Sequence, residues 1–446
     1  MSAPNPALTP DPPSLRRVVA TWWPLAISWI LMSAEPAALA AVVARLPNPN
    51  IHLAAYGSVT FPLIGILQAP ILTLLSLSTA MSKDWDSFLK GRRVMLSLGL
   101  SLTALYAVIA FTPLFDFIVL NLIGAPGEIV EPARQGMYVG VPWAFAVAYR
   151  RFHQGVMIRF EHSRSVTVGT LLRFAADAVV LYFAYRIHTI PGTVVAVSMM
   201  VVGVITEAVY VGWRVRPVLR YEVKTAPTLR EQVLLSDMVR FFIPLAIMPL
   251  LGQLIRPIGS AAISRMPDPL EALAIWPVIT SLSFLIVTPG SAFNEVVIAM
   301  LDRPGAKHSL MRFLYILMGS QFAVMLLMAL TPLAGIWFGQ VSGLDPALAR
   351  KAAQAFVLLI PSSLISPLNS WFTGAILHSR RSRSVTEGMV VYLGVYVVSL
   401  AVGALLAAGT LAISGLYIAI LSSIVSSIAQ TGWLAYRARA AVRMLD

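Results

Sequence analysis

Apolar segments long enough to cross a membrane recur along the whole chain, and short polar segments separate them. A helix needs about 20 apolar residues to cross the hydrocarbon core, and it satisfies its own backbone hydrogen bonds there. Apolar and polar residues do not alternate at strand spacing, so an outer-membrane barrel is not expected. The pattern predicts an all-α polytopic membrane protein with twelve spans, numbered 1 to 12, at about 18–45, 52–81, 93–114, 135–159, 166–187, 191–214, 240–264, 271–300, 309–332, 352–377, 386–409 and 412–436.

The segment 112–169 occurs twice, because its residues match those 219 positions further on. Both copies end with Ser-Arg-Ser-Val-Thr, at 163–167 and at 382–386. Matched positions across the chain include Gly124 and Gly343, Ala133 and Ala352, Pro142 and Pro361, Gly155 and Gly374, Asn48 and Asp268, and Glu207 and Gln430. A period of half the chain predicts two six-helix, pseudo-symmetric bundles in parallel orientation, as in transporters whose site lies between two halves.

The repeat also predicts how the chain is divided. A charged, amphipathic segment at 217–238 separates the two halves and reads as a cytoplasmic linker. The predicted parts are a disordered tail at 1–15, a first bundle at 16–216, the linker at 217–238, a second bundle at 239–437 and a cytoplasmic tail at 438–446.

Composition and charge agree with a membrane protein. Hydrophobic residues make up 58% of the chain and charged residues 12%, against about 25% charged in soluble domains. The net charge of +13 is concentrated in alternate loops, which predicts a cell-membrane protein with both termini cytoplasmic and does not indicate nucleic-acid binding. The chain has no cysteine, and it contains no phosphate-binding loop, zinc-protease motif or nucleophile elbow. We therefore expect a monomer in the lipid bilayer that has neither enzyme activity nor a cofactor. Transport could be coupled to H⁺ or Na⁺.

Two charged residues within the membrane are each followed by proline: Glu35-Pro36 in span 1 and Arg256-Pro257 in span 7. Charges at this depth are costly and are therefore functional candidates. Proline removes a backbone donor, so Pro36 and Pro257 are predicted hinges. One hypothesis is that Glu35 and Arg256 pair across a central cleft until an anion competes for Arg256, with Gln253 also in the substrate site. The alternative is a static ion pair.

A further basic pair, Arg150 and Arg151 in span 4, belongs to the first half alone, because the second half has Asn369 and Ser370 there. A guanidinium group suits a phosphate or a carboxylate, so both arginines are substrate-binding candidates. The alternative is pairing with Asp177 or Glu207 inside the first bundle.

Other polar residues within the spans are candidates for ion coupling or for ion pairs. Arg173 and Asp177 are four residues apart and are predicted to pair within span 5, although protonation of Asp177 could couple transport. His153 reads as a core histidine, with a proton relay as the alternative. Glu207 could titrate or pack as an ordinary polar residue. Asn294 and Glu295 are placed near the cytoplasmic mouth of span 8.

One stretch carries a resemblance to a known family. The segment 119–133, which contains Gly124-Ala125-Pro126-Gly127 and leads to Tyr138, resembles the start of helix 4 in multidrug and toxin extrusion (MATE) transporters. Its second copy runs from Trp337 to Ala347. The resemblance implies a MATE-like fold of two six-helix bundles and transport by alternating access. The acidic pair usual in the first helix of cation-coupled MATE proteins is not evident, which argues against cation antiport.

The sequence is also similar to the progressive ankylosis family, a MATE-like branch associated with export of pyrophosphate, nucleotides and citrate-like anions. The residues that carry this likeness are Trp23-Pro24-Leu25-Ala26-Ile27, Glu35, His153-x-Gly155, Asp177, Arg256-Pro257-Ile258, Ser264-Arg265 and Glu295. The resemblance implies a secondary-active exporter of small organic or phosphorylated anions. The alternatives are a multidrug or cation antiporter of MATE type and a lipid-linked oligosaccharide flippase.

Overall fold

The computed structural model describes residues 14–227, 234–301, 303, 305–379, 382–409 and 414–443. Residues 1–13 of the predicted disordered tail and residues 228–233 of the predicted linker lie outside these residues, and Leu15, the last residue of the predicted tail, already begins the first helix. Within the described part of the chain every predicted span is helical, and nine helices are long and apolar enough to cross a membrane. The number is ten if the bent pair of span 10 counts as one. Spans 4 and 7 are helical too, so the helices agree with the predicted twelve-span, all-α fold.

The chain forms two compact units: Met1–Ala40 with Val278–Asp446, and Ala41–Pro277. The first unit contains most of span 1 and spans 8 to 12, with helices Leu15–Val43, Pro269–Met300, Ala306–Leu330, Pro346–Val357, Ser362–His378, Ser382–Gly409 and Gly415–Arg443. The second unit contains spans 2 to 7, with helices Pro49–Ala54, Phe61–Leu72, Leu74–Met81, Trp85–Phe111, Gly127–Gly140, Trp143–Arg159, Ser163–Ile187, Gly192–Val218 and Leu235–Ile263. Span 12 continues to Arg443, beyond its predicted end.

These units differ from the sequence halves, because the first span of each half packs with the other half's helices. In the first unit, the Trp22 indole of span 1 donates to the backbone oxygen of Pro289 in span 8 at 2.9 Å. In the second unit, Gln253 of span 7 lies against Gly65 of span 2. The sequence repeat therefore records the duplication, whereas side-chain packing decides which spans form a compact unit.

Matched positions of the repeat adopt the same unusual backbone conformation. Asn48 and Asp268, each before a proline, have φ values of 50° and 54°. Gly124 and Gly343 have φ values of 72° and 73°, and each follows a short π-helical segment, Phe117–Ile123 or Trp337–Val341. A positive φ is costly for most residues and is tolerated by glycine and, less readily, by Asn and Asp. The repeated sequence thus gives repeated local structure.

Helix interruptions also occur at matched prolines. Span 4 is interrupted at Val141 and Pro142, and span 10 between Val357 and Ser362, where its two helices differ in direction by 49°. Proline cannot donate the backbone hydrogen bond that would continue the helix. Helices 1 and 7 run past Pro36 and Pro257 without interruption, so hinges at those two residues stay a prediction.

The core of the first unit is apolar and aromatic. Phe293 of span 8, Leu310 of span 9 and Trp371 of span 10 are buried together, and Trp22 of span 1 packs against them. Removing apolar side chains from water stabilises a core by about 25 cal/mol per Å² of buried apolar surface. Where the alternative environment of the side chain is lipid, its burial stabilises the protein through close van der Waals packing instead.

Candidate functional site

A buried carboxylate, Glu207 of span 6, collects polar side chains from spans 4 and 5. Arg150 Nη1 donates to Glu207 Oε2 at 2.5 Å, and Gln154 Nε2 donates to Glu207 Oε1 at 2.7 Å. The Thr170 hydroxyl lies 3.3 Å from Oε1, and Arg173 Nε lies 3.6 Å from Oε2. The Glu207 side chain is completely buried. We call these five residues the Glu207 network.

Two glycines allow the helices of the network to approach. A Cβ atom on Gly169 would lie 3.3 Å from Glu207 Cγ, and one on Gly203 would overlap the Asp177 carboxylate. Small residues at such contacts let helices come close in a membrane. The sequence therefore brings spans 5 and 6 together at the depth where Glu207 and Asp177 lie.

The network bears on the two interpretations of Arg150 that the sequence leaves open. Arg150 is buried and pairs with Glu207 inside its own unit, as the alternative interpretation expects, and substrate binding by Arg150 stays a prediction. The pairing of Arg173 with Asp177 stays a prediction, although Arg173 also lies beside Glu207. Arg151 is half-buried, and among the described residues its Nε has no hydrogen-bond acceptor.

His153 lies in an aromatic environment. Its Nδ1–H donates to the backbone oxygen of Tyr149 at 2.8 Å, and its ring centroid lies 4.2 Å from that of Tyr149 and 5.4 Å from that of Phe152. The side chain is buried. These contacts are those of a core histidine, and they support the structural reading over a proton relay.

A second arginine, Arg256 in span 7, has a different environment. It is exposed, and its guanidinium carbon lies 4.8 Å from the centroid of the Phe61 ring in span 2. Gln253, three residues earlier and so on a similar face of the helix, lies against Gly65 of span 2. Within its compact unit, no described carboxylate forms an ion pair with Arg256. We call Phe61, Gly65, Gln253 and Arg256 the span 2–7 arginine site.

The remaining predicted site residues lie in the first unit. Glu35 is half-buried in span 1, and its pairing with Arg256, which belongs to the second unit, stays a prediction. Glu295 is exposed in span 8, and the Trp29 indole donates to its Oε1 at 3.4 Å. Asn294 is half-buried and its backbone oxygen lies close to Gly374. Glu295 and Asn294 thus contribute to the packing of span 8 on spans 1 and 10.

Sequence reasoning missed Gln154, Thr170 and Phe61. Gln154 could have been found, because it lies four residues after Arg150 and hence on the same face of span 4. Phe61 carries no charge, so only the contact of its ring with the Arg256 guanidinium group in the structure identifies it. Among the described residues, no group of three or more His, Asp or Glu side chains could hold a metal ion.

No protein-family model matches the chain, and no curated protein matches it in sequence. Solved structures do match. A multidrug resistance MATE family transporter of the MOP superfamily in an inward-facing conformation gives a TM-score of 0.72 at 16% identity, covering 94% of this chain and 98% of that one. An outward-facing structure of such a transporter gives a TM-score of 0.64 at 17% identity, covering 96% and 97%.

A third match is a MOP superfamily transporter from Pyrococcus furiosus, with a TM-score of 0.59 at 15% identity and coverage of 97% and 99%. It is described as having a binding pocket of reverse polarity, which suggests a different function for that protein. At such low identities the likeness concerns the fold, and it covers nearly the whole chain. The chain has the fold of MATE family transporters.

Proposed function

We propose that this protein is a secondary-active membrane transporter that works by alternating access and exports small organic or phosphorylated anions, such as pyrophosphate, nucleotides or citrate-like compounds. Its fold supports the transporter part of the proposal, because the similar proteins are transporters seen in inward-facing and outward-facing conformations. The choice of an anion rests on the polar residues of this chain.

The observation that carries the proposal is the exposed Arg256 in the second half of span 7. An arginine at this depth costs at least about 3 kcal/mol. Contact with the Phe61 ring offsets about 0.5–2 kcal/mol of that cost, which leaves part of it uncompensated. A phosphate or carboxylate group would supply the missing charge, since a guanidinium group can bind two of its oxygens at once. Gln253 adds an amide donor on the same side of the helix.

The Glu207 network contributes to the proposal in another way. Arg150 is already neutralised by Glu207, so we assign it to the interior of the second unit and give the substrate to Arg256. The Pyrococcus furiosus transporter, with its pocket of reverse polarity, is a precedent within the fold for a change of substrate charge.

The proposal can be tested with purified protein in liposomes loaded with radiolabelled pyrophosphate, ATP or citrate. Release would be followed under a pH gradient and under a sodium gradient, because either ion could drive export. We expect Arg256→Ala to reduce anion flux at least tenfold, and Arg256→Lys to retain more because it keeps the charge without the planar fork. Gln253→Ala should have a smaller effect, since a neutral hydrogen bond is worth about 0.5–1.5 kcal/mol.

The matched control is Arg164→Gln, which removes one exposed positive charge at the start of span 5. Its flux should equal that of the wild type. If folded Arg256→Ala protein exports these anions at the wild-type rate, the proposed site is wrong.

A second candidate is export of cationic drugs, because two of the similar structures belong to multidrug resistance transporters. The same liposomes can be loaded with ethidium. Ethidium release that persists in Arg256→Ala, together with no anion flux in the wild type, would favour the drug transporter.

A further inference from the structure

A groove lined by apolar and aromatic side chains lies between spans 4 and 6 of the second unit. It has a volume of about 590 Å³, and its walls include Phe145 and Tyr149 of span 4 and Gly212 and Trp213 of span 6. Arg216, which is exposed, lies at one end. In the described part of the chain, no carboxylate pairs with Arg216.

A related groove of about 300 Å³ lies in the first unit between spans 9, 10 and 12. Its walls include Leu368 and Trp371 of span 10 and Ala435 of span 12. Two cationic side chains, Lys307 and Arg439, belong to its lining. This groove is therefore also apolar along its walls and basic at its rim.

The sequence repeat relates the two grooves. Span 6 reads Tyr-Val-Gly-Trp-Arg-Val-Arg at 210–216, and span 12 reads Trp-Leu-Ala-Tyr-Arg-Ala-Arg at 433–439. The shift of 223 that matches Glu207 with Gln430 also matches Arg216 with Arg439. Both halves thus keep a small residue in the groove wall and an arginine one turn beyond an aromatic residue.

The aromatic residues indicate the depth of these arginines. Trp213 and Tyr436 are 60% and 59% exposed, as expected of side chains at a membrane–water interface. Arg216 and Arg439 follow them by three residues, which is about 4.5 Å further along the helix. That displacement takes each guanidinium to the level of the lipid headgroups, on the side predicted to be cytoplasmic.

We propose that the two grooves are binding sites for anionic phospholipids of the cytoplasmic leaflet. In each, an acyl chain would lie along the apolar wall and the phosphodiester group would bind Arg216 or Arg439. A basic residue at the mouth of an apolar cleft between membrane helices favours a lipid with net negative charge over a zwitterionic one.

The experiment compares two double variants that lose the same charge. Arg216→Gln with Arg439→Gln removes one cation from each groove. Arg164→Gln with Arg312→Gln removes exposed cations from spans 5 and 9 that do not line either groove. The purified full chain in detergent is titrated with dioleoylphosphatidylglycerol or dioleoylphosphatidylcholine, and bound lipid is counted by native mass spectrometry while the melting temperature is recorded.

We expect the wild type and the control pair to retain phosphatidylglycerol in preference to phosphatidylcholine and to gain melting temperature from it. The groove pair should bind phosphatidylglycerol about fivefold more weakly at each site, and its preference over phosphatidylcholine should fall in the same proportion. Ala435→Phe fills the second groove without changing charge, so it should remove one bound lipid only.

Three results would overturn the proposal. One is equal retention of the two lipids by the wild type. Another is a loss in the control pair as large as in the groove pair. The third is stabilisation by glycerol 3-phosphate equal to that by the lipid, because it would identify a site for free phosphate instead.

Discussion

The Glu207 network and the matched positions of the second half show two ways of filling the same place in the fold. In the first half the place holds a buried carboxylate surrounded by two arginines and two neutral donors. The second half is neutral there, because the residues that match Arg150, Arg173, Asp177 and Glu207 are Asn369, Tyr392, Tyr396 and Gln430.

Packing in the two places is nevertheless similar. A Cβ atom added to Gly169 would lie 3.3 Å from Glu207 Cγ. A Cβ atom added to its repeat partner, Gly388, would lie 3.7 Å from Gln430 Cγ. In the second half, Asn369 Nδ2 donates to the Thr431 hydroxyl at 3.4 Å. The fold therefore does not require charges at this position.

The difference indicates that the charges serve another purpose than stability. Replacing a buried ion pair by well-packed neutral residues is often neutral or stabilising, since desolvation offsets much of the Coulomb attraction. The second half demonstrates that a neutral solution is available to this fold. We therefore interpret the Glu207 network as a feature of the transport cycle proposed above, and variants that remove it should be tested both for stability and for anion flux.

The largest expected effect is that of breaking the network from one side. Glu207→Gln removes the carboxylate that Arg150 and Arg173 share, and it should lower the free energy of unfolding by about 3–5 kcal/mol because the arginines remain buried. Arg150→Asn combined with Glu207→Gln installs the residues of the second half, and it should recover more than half of the loss. Unfolding in mixed micelles with increasing SDS measures both.

The same two variants also test which residue is the main partner of Glu207 and whether the network is needed for anion flux. If the double variant is as unstable as Glu207→Gln, then Arg150 is not the main partner of the carboxylate. If it is stable and its anion flux equals that of the wild type, the interpretation of the network as part of the transport cycle is wrong.

The sequence could predict the spans, their repeat and the charged positions, but not the partners within the network. Helical spacing shows which residues of one span share a face, and so it places Arg150 with Gln154. It does not give the rotation of span 4 relative to span 6, which is why Asp177 and Glu207 were equally acceptable partners for Arg150. That rotation depends on packing such as that of Tyr149 in span 4 against Gly212 in span 6.

For a related reason, the sequence could not predict which spans form each compact unit. The repeat predicts that spans 1 and 7 are equivalent, and the matched backbone conformations of Asn48 and Asp268 agree with that. It contains no information on which helices each of them packs against. Trp22 on Pro289 and Gln253 on Gly65 are tertiary contacts between residues more than 180 positions apart.

A smaller effect is expected where the two halves are alike. Gly155 lies against the backbone oxygen of Leu75, and its repeat partner Gly374 lies against that of Asn294, positions that also match in the repeat. Alanine at either glycine would force two helices apart and should cost about 1–3 kcal/mol. Gly155→Ala should cost more, because its Cβ would meet the backbone oxygen at 2.4 Å against 3.0 Å for Gly374→Ala.

SDS unfolding of the two glycine variants checks this order. Equal and negligible costs would show that these close helix contacts do not limit stability. An inverted order would show that span 8 is less able than span 2 to move away from its neighbour.

The left-handed glycines give a third comparison. Gly124→Ala and Gly343→Ala should each cost about 1–2 kcal/mol, because both positions have φ near 70°. Gly124→Ala should be the worse of the two, since its methyl group would also lie 3.1 Å from the Arg265 guanidinium carbon. That guanidinium donates to the backbone oxygens of Ile123 and Leu122 at 2.7 and 2.9 Å. Thermal unfolding in detergent measures the difference, and identical melting temperatures would contradict it.

The smallest effect is expected for a carboxylate of the second half that also binds an arginine. Arg437 Nη2 donates to Glu387 Oε1 at 2.9 Å, but the Glu387 side chain is 26% exposed whereas that of Glu207 is completely buried. Water and salt screen an exposed pair, so Glu387→Gln should lower the free energy of unfolding by only about 0.2–1 kcal/mol. The cost should fall as salt is raised, while that of Glu207→Gln should not change, because screening acts through solvent. Measuring both variants at low and high salt separates burial from charge as the cause, and a large, salt-independent cost at Glu387 would show that burial is not what distinguishes the two halves.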